Sequence, residues 1–183
     1  MPRSVFRFDD PDRFVAGTVG QPGERTFFLQ ARSGDRMVSV ALEKMQVSLL
    51  AEHLERLLEE LVRNGVEVPV QVAADELDLG PLDIPVEEEF RVGPIALGWD
   101  ADARRVVIEA QALTGSDEEP TEPLSDAEEG ADAVVVRLPP AQARAFVLRA
   151  GRVVAAGRPP CPLCGEPLDP DGHICPRQNG KRH

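Results

Sequence analysis

Two stretches decide the fold: VSVALEKMQVSLLAEH (Val38–His53) and VVVRLPPAQARAFVLR (Val134–Arg149). Each opens with an apolar run on a strand period. Each then passes, with almost no connection, to apolar positions three and four apart. The first spacing puts one face of a strand against a core, and the second does the same for a helix. Each stretch therefore reads as a strand running straight into a helix. Laid over each other at a constant shift, they place Leu42 on Leu138, Gln46 on Gln142 and Leu50 on Phe146.

The pattern repeats outward from both junctions. Upstream of the first, Arg13–Val19 and Arg25–Arg32 read as strands around a turn at Gln21-Pro22-Gly23. Arg36–Leu42 follows the Ser33-Gly34-Asp35 turn. The helix runs from Glu43 to Arg63, with Leu50, Leu54, Leu57, Leu58 and Leu61 on its core side. Glu52–Arg56 and Glu59–Arg63 stand one turn apart on its outer side, and Asn64-Gly65 supplies a C-terminal stop. Around the second junction, Phe90–Gly98 and Arg104–Leu113 read as strands about a turn at Asp100–Asp102. Ala133–Leu138 is the third strand. Pro139-Pro140 opens a helix that buries Ala143, Phe146, Val147, Ala150, Val153 and Val154, and Gly157 and Pro159-Pro160 end it.

RTFFLQA (Arg25–Ala31) also matches RVVIEAQ (Arg105–Gln111), at a shift that differs by the length of an intervening loop. The expectation is an α+β protein built from a duplicated strand-strand-strand-helix unit, with mainly antiparallel sheet and helices on one face. Its units are 1–65 and 90–157, joined by an acidic linker at 66–89 and followed by a tail at 158–183.

The chain has 183 residues, 42% of them hydrophobic, so a sizeable core is within reach. Aromatics are few and Tyr is absent, so aliphatic side chains must fill that core. The net charge is −12, but it is concentrated. Asp75–Glu89 and Asp117–Asp132 are rich in acids and hold no base, and without them the chain would be slightly basic. The second segment also carries Gly115, Pro120, Pro123 and Gly130, and 115–131 reads as a solvated loop. The first interleaves its acids with Leu77, Leu79, Leu82, Ile84 and Val86, so part of it is expected to pack. Strong local acidity weighs against generic nucleic-acid binding, which depends on neutralising phosphates. No apolar run is long enough to span a membrane, and the N-terminus has no export signal, which points to the cytoplasm.

The tail, CPLCGEPLDPDGHICPRQNGKRH, holds all three cysteines of the chain. In a CPxCG turn two intervening residues let both sulfurs face one ion, and Gly165 permits the tight bend beneath them. His173-Ile174-Cys175 follows, and its one-residue gap suits an extended segment whose alternate side chains share a face. Cys161, Cys164, His173 and Cys175 supply three thiolates and one imidazole, a tetrahedral set for a structural Zn²⁺. A set of four protein ligands leaves no open position for water, which argues against zinc catalysis. His53 reads as a structural or surface histidine and Trp99 as a packing residue. No GxSxG, P-loop or GxGxxG sequence is present, so no catalytic residues and no cofactor beyond zinc are assigned.

The tail CPLCGEPLDPDGHICPRQNG, with RFVAGTVGQPGERTFFLQA and LEKMQVSLLAEHLERLLEEL, resembles an actinobacterial family of conserved repeat proteins of unknown function. The resemblance covers nearly the whole chain. It implies a partnership with a phosphatidylinositol-kinase-like protein, since such a protein and a histidine-phosphatase-like phosphomutase are encoded near family members. It carries over no catalytic residue.

Three functional classes stay open. The leading one is a non-catalytic interaction or adaptor protein, whose acidic segments dock a basic surface. The second is an enzyme of unrecognised type with its site between the two units. The third is nucleic-acid binding through the zinc tail, where Arg152, Arg158, Arg177, Lys181 and Arg182 flank the ligands but Glu166, Asp169 and Asp171 dilute their charge.

Overall fold

The computed structural model describes residues 2–21, 23–73, 77–114, 130–156 and 163. Cys161, Cys164, His173 and Cys175, and nearly all of the 115–131 loop, lie outside the described residues. The elements run β1 (Val5–Asp9), β2 (Arg13–Val19), β3 (Thr26–Ser33), β4 (Arg36–Leu42), α1 (Lys44–Arg63), β5 (Glu88–Asp100), β6 (Arg105–Ala112), β7 (Ala133–Leu138) and α2 (Pro140–Ala155). The strands form one seven-stranded sheet in the order β1-β7-β6-β5-β4-β3-β2. β2–β3–β4 and β5–β6–β7 are antiparallel meanders, and each leads into a helix. Where the meanders meet, β4 and β5 run parallel. The protein is therefore α+β with a mainly antiparallel sheet.

One face of all seven strands joins one side of each helix in a single core. Phe8, Phe14, Leu29, Val40, Val92, Ile108 and Val136 come from the strands, Leu54 and Leu58 from α1, and Phe146 and Ala150 from α2. The sheet curls enough for the meanders to face each other: Phe14, Leu29 and Val38 line one side of a small apolar gap, and Ile108, Ala110 and Val134 the other.

The limits of α1 follow from its ends. Gln46, in its first turn, accepts the Glu43 N–H through Oε1 at 2.7 Å. The same side chain donates through Nε2 to the carbonyls of Val92 (3.0 Å) and Gly93 (3.1 Å) in β5. At the other end the Gly65 N–H reaches the Val62 carbonyl at 3.1 Å, and the Val66 N–H reaches that of Leu61 at 2.9 Å. Those two bonds make a Schellman cap, and Gly65 adopts the positive φ of 85° that it requires. α2 has an open first turn: Pro139 is its N-cap and provides no capping side chain.

The outer face of the first meander is covered too. Val15, Phe28 and Ala41 pack under Leu82 and Val86, so part of the acidic segment does fold onto the sheet. Gly17 leaves room for this, since a Cβ there would stand 2.6 Å from Leu82 Cγ. Buried Gln30 fixes the segment through Nε2 to the Asp83 carbonyl (3.0 Å) and Oε1 from the Asp83 N–H (2.8 Å). Leu79 and Ile84 remain exposed.

β1 is the element that the sequence pattern does not predict. It adds to the sheet parallel to β7, with Val5 opposite Ala133 and Asp9 opposite Arg137. Arg3 anchors its start, with Nη2 2.6 Å from Oε1 of Glu109 and both side chains only 1% exposed.

An arginine-lined groove between β2 and α2

α2 crosses the start of β2, where Phe14 stacks on Phe146 with ring centroids 4.8 Å apart. Gln142 donates to the Pro11 carbonyl at 3.0 Å and ties the helix start to the strand. Beside this contact lies a cavity of about 390 Å³, bounded by β2, α2 and residues Val72 and Asp78 of the acidic segment. Its apolar walls include Phe14, Val15, Ala145 and Phe146, and its polar wall includes Arg13, Asp78 and Arg149. The volume falls within the ordinary range of small-molecule sites.

Arg13 and Arg149 are both buried. Arg13 grips the Asp78 carboxylate in a two-pronged bond, Nε to Oδ2 at 2.5 Å and Nη2 to Oδ1 at 3.1 Å. Its Nη2 also donates to the carbonyls of Gly80 (3.1 Å) and Pro81 (2.8 Å). Arg149 approaches from the helix. Its Nε donates to the Ala16 carbonyl at 2.8 Å, and its Nη1 to the carbonyls of Asp78 (2.8 Å) and Gly80 (2.7 Å). Behind them, Asp83 lies 3.2 Å from Nη1 of Arg13 and 3.3 Å from Nη1 of Arg32. Three guanidiniums thus meet two carboxylates.

The ionisation of these groups follows from their neighbours. Burial alone would raise the Asp78 carboxyl, but hydrogen bonds from Arg13 and the Gly80 N–H, with the charges of Arg13 and Arg149, bring it below its ordinary value. Burial pulls Arg13 down, and its bonds to Asp78 and Asp83 more than reverse that. Arg149 is lowered, first by burial and then by the charge of Arg13, which Asp78 offsets only in part.

A second, polar depression of about 400 Å³ lies among Arg7, Asp9, Asp10, Arg105 and Arg137. Its charges neutralise one another, Arg105 with Asp10 at 2.6 Å and Arg137 with Asp100 at 2.5 Å.

Of the residues singled out in the sequence, His53 is exposed on α1 and Trp99 packs half-buried against the core. Among the described residues, no group of three or more His, Cys, Asp or Glu is placed to hold a metal ion. No described helix is long and apolar enough to cross a membrane. The groove was not anticipated. Its one local signal is Arg149, a charge beside Ala150 on the apolar stripe that Phe146 continues.

A family model described as "Protein of unknown function (DUF3090)" matches residues 6–175, so the chain belongs to that family. Comparisons with curated proteins and with solved structures give no match.

Proposed function

We propose that this member of the DUF3090 family is a non-catalytic interaction protein, in which a zinc-bound tail and two acidic segments engage a protein partner. The observation that carries this reading is the fixed ionisation of the groove. Asp78 is held below the ordinary carboxylate range, and its partners are guanidiniums, which stay charged in any ordinary buffer. None of the three is poised to exchange a proton near neutrality, as a general acid or base must be. This supports a binding role for the groove over an acid–base one.

In this reading Cys161, Cys164, His173 and Cys175 hold one structural zinc. So short a segment buries little apolar surface, and the metal would supply its folding free energy. The partner presents a basic surface to the acidic segments, and the family resemblance suggests a phosphatidylinositol-kinase-like protein.

The two meander-helix units are read as an internal duplication. What supports this is the pair Gln46 and Gln142, which fall together in the sequence match. Each sits in the first turn of its helix, and each donates across to the opposite unit: Gln46 to β5, Gln142 to the carbonyl just before β2. Similarity between the two halves in an alignment of family members is the check on this point.

The functional test is affinity capture from native cytosol with the full chain, the 115–131 deletion and Cys161→Ser. The expected result is one specific protein retained by the full chain and released by at least one lesion. Recovery of RNA or a small molecule with no protein would overturn the reading.

A further inference from the structure

We propose that the groove between β2 and α2 is a binding site for a small amphipathic monocarboxylate, with the carboxylate on Arg149 and the apolar body against Phe14, Phe146 and Val15. The proposal does not depend on the tail or on a protein partner. Arg149 is only 5% exposed, yet its hydrogen bonds use Nε and Nη1 alone. Its Nη2 donates to none of the described residues, and Arg149 lines the cavity. That nitrogen is open to water in the groove, and an anionic oxygen in the cavity would replace the water with a charge-assisted bond.

The charge of the site limits the valence of the ligand. In the ion-pair network three guanidiniums, Arg13, Arg32 and Arg149, face the carboxylates of Asp78 and Asp83, an excess of one positive charge. Exposed Asp12 at the cavity rim opposes that excess through water. A monocarboxylate matches the excess of the network, and a phosphate dianion would overshoot it. The remaining walls are largely side-chain hydrocarbon, so an inorganic anion would leave them wet. The open first turn of α2 borders the same cavity through Ala141 and Gln142. Their N–H groups lie where the helix dipole favours a second acceptor atom on the ligand.

The test is calorimetric titration of the full-length protein with hexanoate, 1-hexanol and inorganic phosphate. Hexanoate should saturate one site. Hexanol, which lacks the charge, and phosphate, which lacks the body, should each bind about tenfold more weakly or worse. Two variants fill the cavity from opposite sides without touching an ion pair, Ala145→Leu on the helix and Val72→Phe on the loop. Whichever retains the wild-type melting temperature should lose about tenfold in hexanoate affinity or more. The proposal fails if hexanoate shows no saturable binding, if hexanol or phosphate matches it, or if a folded, filled variant binds as the wild type does. Both variants leave the tail and the acidic loop intact, so partner capture is read independently of this result.

Discussion

Asp78 answers to two arginines at once, one from a strand and one from a helix. A carboxyl whose folded-state pKa is lowered stabilises the fold above its unfolded value, and that contribution disappears as pH falls through the folded value. The ordinary value is 3.8 and the folded one lies below it. Asp78→Asn should therefore cost about 1 kcal/mol or more near neutrality, the charge being partly screened at its exposed edge. The gap between variant and wild type should close in acid. Urea unfolding at about pH 7 and about pH 3 checks this, and a gap that persists undiminished in acid rules it out. At this scale the sequence is least informative. Arg13 meets Asp78 across 65 residues and Arg149 meets it across 71. Periodicity says which face of an element is buried. It does not say which buried charge meets which, and in the acidic run that holds Asp78 the interleaved leucines indicate only that part of the segment packs.

Elements were far more legible, because each carries its own pattern. The meander strands and both helices begin and end within a few residues of the pattern's limits, and the Asn64-Gly65 stop is the Schellman cap. β1 escaped because VFRFD is only five residues long and runs straight into Asp10-Pro11. Nothing beside it in sequence shows what it pairs with. The two first-turn glutamines show how an element's end is used twice. Gln46 caps α1 with one atom and holds β5 with another. Gln46→Ala should lose both and cost about 1–2 kcal/mol, read as a lower midpoint in denaturant. Gln46→Glu keeps the capping oxygen but loses the donor to β5, so it should fall between Gln46→Ala and the wild type. Equal losses for the two variants would show that only the β5 contact matters.

For the whole molecule, the proposed zinc would divide the chain into parts of different thermodynamic origin. The sheet and helices share one apolar core. The tail, with three cysteines in 23 residues, carries the proposed ligand set and few large apolar side chains. Elemental analysis of protein purified without chelator should find about one zinc per chain, as four ligands on one tetrahedral ion require. A strong chelator should remove it and leave the far-ultraviolet dichroism and thermal midpoint of the core nearly unchanged. Protein that is metal-free as purified, with all three thiols freely reactive, would refute the site. Collapse of the core on chelation would refute its independence.

β1 also closes a long loop. Its ladder partner β7 lies far along the chain, with the Ser4 N–H bonded to Asp132 across 128 residues. Closing so long a loop is slow compared with forming either hairpin-built meander. β1 is therefore expected to join the sheet after both meanders have formed, and the ion pair between Arg3 and Glu109 to form with it.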